Sequence, residues 1–306
     1  MKLGKIRLVR IGIEAVAKGT ASAAITTECL CYDPEPKRDD NYIPREAAFG
    51  LAGTMKGCRG PSTGKITIRR HLTGNGSTGL SAADTVLLQA CGMLLSTLKF
   101  TPETDIDDQK TITIDCWRDG HKERLTGCMG TWSMEAEAGK PVMMTYELQG
   151  KYEDLGDEDT PTASVDKTLP FKGGGATFTI DGKGIGINKF TLAANNPVQM
   201  REDIAAVGGF AYFFIGAGRN YKAIADPEVE PSGTWDPSAI SEAGTEAALS
   251  IIVKDATTKL TIEAAACEIL PTNVGVRGET LVWDALNIQI NATTVDAEMS
   301  MVSAAV

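Results

Sequence analysis

The stretch ITIDCWRDGHKERLTGCMGTWSMEAEAGKPVMMTYELQG, residues 112–150, decides the fold. It opens on an extended segment from Ile112, turns at Asp119-Gly120 and runs as a strand into Cys128 and on through Trp132. It then turns at Gly139-Lys140 and closes on a strand from Val142 to Leu148. Thr111 to Trp117, Thr131 to Ala138 and Val142 to Leu148 alternate apolar with polar residues, the period of strands that rest one face on a core. The stretch is an antiparallel meander. Residues Leu249 to Ile290 follow the same order: a strand into Lys254-Asp255, a return through Leu260 to Cys267, a turn at Gly278-Glu279 and a strand from Leu281. Cys128 and Cys267 stand 139 positions apart, and so do Gly139 and Gly278. The shared offset predicts a duplicated β-domain, which suits pseudo-symmetric assembly better than a single active site.

Outward from the meander, Ile66, Ile68 and Leu72 are spaced for one face of a strand that begins near Gly64. Ser81-Ala82-Ala83-Asp84 has the form of a capping box, and Ala83, Leu87, Ala90, Cys91 and Leu94 follow at helical spacing, so one short helix is predicted there. The acidic, breaker-rich run Glu153 to Pro161 marks the boundary between halves. Beyond it, strands are predicted over Ala176 to Ile180 and Ile185 to Leu192. The apolar run Gly209 to Ile215 reads as a strand buried on both faces, and a short helix follows Asp236-Pro237 until Gly244. Residues 1–60 mix short apolar runs with Asp33-Pro34-Glu35-Pro36-Lys37-Arg38-Asp39-Asp40, whose prolines and charges favour an extended path. The predicted fold is mainly β, with two tandem β-sandwich or barrel-like domains, each carrying a short flanking helix. An N-terminal arm or long loop takes 1–60, the first domain 61–155, a linker 156–168 and the second domain 169–306.

Composition excludes several classes. A chain of 306 residues with 42% hydrophobic and 23% charged residues is long and apolar enough for two folded cores. The start, Met1 to Leu8, has basic residues without an apolar stretch of signal-peptide length behind them, so neither export nor a membrane span is expected. Seven scattered cysteines read as reduced core residues of a protein made in a cytoplasm. A net charge of -10 argues against a surface that grips nucleic acid and allows one that must avoid gripping it.

The search for chemistry assigns no catalytic, cofactor-binding or metal-binding residue. Gly64-Lys65 lacks the upstream glycine of a phosphate loop, where Arg59 sits, and the following hydroxyl, where Ile66 sits. Gly182, Gly184 and Gly186 precede no helix and read as a flexible strand entry. His71 and His121 read as surface polar residues, and Cys29-Leu30-Cys31 has no second cysteine pair to complete a metal shell. Asp105-Ile106-Asp107-Asp108 and the 153–159 run lack the spacing of a calcium loop. No nucleophile stands with a base, so the chain is read as not an enzyme.

The order Arg45-Glu46-Ala47-Ala48, Gly64-Lys65-Ile66-Thr67, Leu72-Thr73-Gly74-Asn75-Gly76, Leu87 to Gly92 and Leu125 to Gly130 resembles the tail tube proteins of tailed bacteriophages. The resemblance continues through Glu137 to Pro141, Tyr146 to Tyr152, Gly218-Arg219-Asn220 and Asp226-Pro227-Glu228. It implies a virion protein, assembled in the bacterial host cytoplasm, whose β-sandwich supplies strands to a barrel lining the tail lumen. The partners it implies are further copies of the chain in stacked rings, other tail proteins, and DNA that passes without specific binding. With two tube units per chain, a trimer with approximate sixfold symmetry is expected, and a simple hexamer is the alternative. Two other classes stay open. A virion surface adhesin or carbohydrate-binding β-sandwich would need exposed aromatics from among Trp117, Trp132, Trp235 and Trp283, and an acid-dependent hydrolase would need two carboxylates across a cleft.

Overall fold

Ile112–Arg118, His121–Glu137 and Met143–Asp157 pair in turn as antiparallel strands, the meander that the alternation of their residues predicts. At the first turn Asp119 and Gly120 take φ values of 48° and 75°, the left-handed pair whose twist matches the flanking strands. The computed structural model describes residues 7–22, 25–45, 55–164, 167–206, 209–230, 235–270 and 273–306. Arg7–Ile13 pairs with the outer edge of Ile112–Arg118, and Met55–His71 pairs with that of Met143–Asp157. Between those two outer strands and the meander in the chain lies the helix Ala82–Ala90. Ser81 caps it by accepting from the Asp84 N–H, and Leu87 and Leu88 bury it in the core.

The second half makes the same pairings in the same chain order. Ala247–Lys254, Thr258–Ile269 and Leu286–Asn291 form its meander. Lys172–Ile180 lines the first of these strands and Lys222–Pro227 the last. The helix Pro237–Ala243 precedes the meander, here without the hairpin Met93–Ser96 with Lys99–Pro102 that follows the helix in the first half. In each half the cysteine of the middle strand lies opposite the first residue of the strand before it, Cys128 across from Ile112 and Cys267 across from Ala247, with a register shift immediately beyond. The ribbon of Asn273–Arg277 with Thr280–Asp284, closed by the Gly278-Glu279 turn, follows the second meander beyond an irregularity at Ala285, whose φ is 50°.

The two halves share one hydrophobic core, which includes Ile68 and Trp132 from the first half and Leu192 and Ile262 from the second. Two strands stitch them together. Ile187–Ala193 lies between Ser133–Glu137 of the first half and Lys222–Pro227 of the second, and Ser300–Ala305 bridges Thr258–Glu263 to Lys99 and Phe100. The result is a mainly β protein with large antiparallel sheets, and no barrel closes among the described residues.

Three expectations need correction. The segment 1–60 is not one arm: Arg7–Ile13 is a core strand in which Val9 and Ile11 are 1% and 0% exposed. Its run of apolar residues, short as it is, fills the sheet beside Ile112–Arg118. Lys37–Arg45, by contrast, is exposed at every residue and pairs only with Met55–Lys65, while residues 1–6, 23–24 and 46–54 lie outside the described residues. The Gly182 series is not a loose strand entry, because Asp181 and Gly182, at φ 51° and 71°, make a tight turn from Lys172–Ile180 to Lys183–Gly184. The run 209–215 is buried less completely than expected. Phe210–Ile215 pairs only with Val198–Glu202 and buries Phe210, Phe213 and Ile215 against Met129, with Ala211 and Phe214 partly exposed.

Candidate functional site

The side chains that alternate with the core residues make the surface of functional interest. One row of paired residues crosses seven strands from both halves: Arg69, Thr145, Ser133, Ala193, Lys222, Gln289 and Glu268. Thr67, Glu147 and Thr131 form the row beside it on one side, and Glu135, Thr191, Ile224 and Asn287 the row on the other. Each of these residues is exposed or half-exposed, and its strand neighbours are buried. The face is dominated by Thr, Ser, Asn and Gln, with charges of both signs interspersed. Lys189 pairs with Glu135 at 2.6 Å, which neutralises two of the charges within the face itself. Such a surface offers phosphate no basic stripe, the feature on which nucleic-acid affinity depends.

Among the described residues both ends of this sheet are open. At one end Met55–His71 continues beyond its last partner on Met143–Asp157, Thr63 with Lys151, as a ribbon with Lys37–Arg45. Tyr42 and Ile43 on that ribbon are 57% and 50% exposed. An isolated two-stranded ribbon is only marginally stable in water. At the other end, among the described residues no strand pairs with the outer edge of Asn273–Arg277, and Val274, Val276 and Leu281 on the same ribbon are 50%, 69% and 53% exposed.

The residues weighed for chemistry are dispersed. His71 ends its strand against the Tyr32 hydroxyl at 3.0 Å, and His121 follows the Asp119-Gly120 turn beside Asp154. Cys29 is buried next to Arg70. Burial pushes the thiols of Cys116 and Cys267 up to about 12, with Glu123 adding to the effect on Cys116. These thiols are therefore inert at neutral pH. Among the described residues no group of three or more His, Cys, Asp or Glu is placed to hold a metal ion, and no helix is long and apolar enough to cross a membrane. Trp132 and Trp235, 1% and 4% exposed, lie in the core, and Trp117, 2% exposed, is covered by Arg10 and Lys122, so none of the three offers a platform for a sugar.

A family model described as phage tail tube protein matches residues 11–292 of the chain, nearly its whole length. The chain belongs to the phage tail tube protein family. A search of curated proteins finds no match. Membership places the tube protein in the virion tail and gives it a structural role, with self-assembly and contacts to other tail proteins. The surfaces that serve such a role are sheet faces and strand edges, which no short motif marks. Their signal lay in the residues between the apolar ones, the Lys65, Thr67, Arg69 and Thr131, Ser133, Glu135 alternations. Sequence reading used these only to place strands. It also passed over Glu14, which is buried among four donors, and named Arg219 only within the family resemblance, without its role of tying Thr104 to Asp296 and Glu298. Neither stands in any periodic pattern.

Proposed function

We propose that the tube protein closes into rings that stack as the conduit for DNA ejection. Each chain contributes two tube units, the first made of the 112–157 meander with Arg7–Ile13 and Met55–His71 along its edges and the second lying within 169–306. The observation that carries this reading is the continuous sheet with a polar, mixed-charge outer face and two open ends. Open edges are a liability in a monomer, and ring closure removes them. The polar face then lines the lumen, where interspersed charges and hydroxyls let DNA slide without capture.

Strand spacing favours three chains per ring. The row crosses seven strands, and Tyr32, bridged to Arg69, begins an eighth. Three copies supply about 24 strands, and at roughly 4.8 Å per strand they enclose a barrel about 37 Å across between backbones, more with tilt. Side chains projecting about 5 Å from each wall leave about 27 Å, a bore that admits a DNA duplex. Six such chains would double the backbone diameter. A hexamer fits only if the second unit sits outside the wall, whereas Ile187–Ala193 joins the two sheets edge to edge. We further infer assembly in the bacterial host cytoplasm, in keeping with the free thiols, and no catalytic role. No observation favours the adhesin reading, given the buried tryptophans.

Cryo-electron microscopy of the purified protein tests the proposal. Tubes or rings with three chains per layer and Thr131, Ser133 and Thr145 on the lumen wall are expected. A monomer at every concentration, or a channel lined mainly by Lys and Arg, would overturn it.

A further inference from the structure

The seam that joins the two halves within one chain has a vacant counterpart at each end of the chain. At the internal seam, Ile187–Ala193 pairs with the tip of the first meander, Lys189 with Glu137, Thr191 with Glu135 and Ala193 with Ser133. The ribbon Val198–Glu202 with Phe210–Ile215, in line with that strand, packs over Met129 of the same meander. Each element of this seam has an equivalent elsewhere. The tip of the second meander is Asn273–Arg277, 140 positions after Ser133–Glu137, and its outer edge has no strand partner among the described residues.

The equivalent of Ile187–Ala193 is the stretch 31–37. Paired residue numbers in the hairpin of Ile187–Ala193 with Lys222–Pro227 add to 414 at Ile187 and 415 at Phe190. In the N-terminal hairpin they add to 101 at Tyr32 and 102 at Lys37, the same one-residue shift at the same place. Burial agrees: Phe190 and Leu192 face the core, and so do Pro34 and Pro36, while Lys189, Asp33, Glu35 and Lys37 are exposed. The ribbon that continues outward repeats the comparison with one difference. Val198 and Met200 are partly buried against Met129, whereas Tyr42 and Ile43 are exposed.

From these equivalences we infer that the stretch 31–45 of one copy lies along Asn273–Arg277 of the next copy, head to tail, as Ile187–Ala193 lies along Ser133–Glu137 within the chain. The inference rests on the ring reading above and names its interface. Asn273, Gly275 and Arg277 exchange their backbone hydrogen bonds with the other strand of their ribbon, so Val274 and Val276 are the counterparts of Met134 and Ala136. The transferred register puts Asp33 opposite Arg277, Pro34 opposite Val276 and Pro36 opposite Val274. At the internal seam Ala138 N–H donates to the Asn188 carbonyl and Ala194 N–H to the Trp132 carbonyl, so alternate residues, including Phe190 and Leu192, turn their backbone groups to the seam. Their counterparts Pro34 and Pro36 have no N–H. Val274 and Val276 therefore supply the donors, and the proline carbonyls accept. This half-ladder is weaker than the internal one, and it blocks two such proline edges from pairing with each other. The contact is heterologous, which makes it able to close a ring.

The test uses the full chain with Cys58→Ser, which removes the exposed native thiol. Lys37→Cys and Asn273→Cys, both at exposed positions and the counterparts of Ala193 and Ser133, together in one chain, under mild oxidation, should give covalent dimers and trimers on a non-reducing gel, with each single substitution monomeric. As a second measurement, Tyr42→Asp/Ile43→Asp and Val274→Asp/Val276→Asp, all at exposed positions, should each give a 32.4 kDa monomer in the ultracentrifuge. Their equimolar mixture should sediment at twice that mass, because each variant keeps one intact side. Rings in the microscope with neither cross-links nor mixed dimers would overturn this interface and leave the tube reading standing. Absence of rings from the unaltered chain would overturn both.

Discussion

At the scale of single residues, the strongest polar site is Glu14. Its carboxylate accepts from Gly19 and Gly127 N–H at 2.6 and 2.7 Å and from the Thr111 and Thr113 hydroxyls at 2.6 and 2.9 Å. It ties the loop after Arg7–Ile13 to the register shift between Thr126 and Met129. Glu14→Ala would strand these donors in the interior and should cost about 3 kcal/mol, read as a lowered urea midpoint. The thiols give a second prediction. Of the seven cysteines Cys58 is exposed and Cys31 half-buried, and the other five are buried. Brief alkylation of the native protein without reductant should modify Cys58 alone, and denaturant should release all seven; fewer than seven would reveal a disulfide. Glu28 gives a third. The hydrogen bond from Arg10 at 2.7 Å, helped by the Ser164 N–H, holds its carboxyl below the ordinary 4.5. The folded value is the lower one, so its stabilisation is full at neutral pH and declines as pH falls below 4.5 and through the folded value. Thermal melts of Glu28→Gln should show less loss of stability across that acid window than melts of the unaltered chain.

At the scale of elements, the helix Ala82–Ala90 depends on a polar cluster beneath its first turn. The Ser81 hydroxyl donates to Asp84 Oδ2 at 2.7 Å and accepts from the Asp84 N–H and from Arg70, while Arg70 pairs with Asp84 at 3.1 Å. Ser81→Ala removes the cap and one partner each from a buried cation and a buried anion, and should cost about 2 kcal/mol in denaturant titration. The two ends of the 1–60 segment should behave in opposite ways. Deleting residues 1–40 removes the core strand Arg7–Ile13 and should abolish the cooperative thermal transition. Replacing 38–62 with a short Gly-Ser turn should leave a folded monomer with its melting temperature changed by a few degrees at most. The opposite result would mean that the exposed ribbon, not the strand, is integral to the core.

At the scale of the whole molecule, the meander strands, the Asp119-Gly120 turn, the Ser81 cap, the helix after Asp236 and the 139-residue offset were all legible in the chain, because each is written in neighbouring residues: a period of two, a dipeptide, a cap three residues from its acceptor. The strand Arg7–Ile13 was not, because a seven-residue run becomes core only by reaching Ile112–Arg118, some hundred residues away. The continuous row from Arg69 to Glu268 was equally out of sight. Its residues come from seven strands, and their alignment is a sum of registers that only the folded pairings set. The sequence by itself thus determined the strands of the meanders, where they turn and that the pattern occurs twice. Tertiary structure alone decided that the two halves fuse through Ile187–Ala193 into one sheet and leave an open edge at either end. Strand formation follows from local alternation, whereas which edge stays unpaired depends on every non-local pairing being made first.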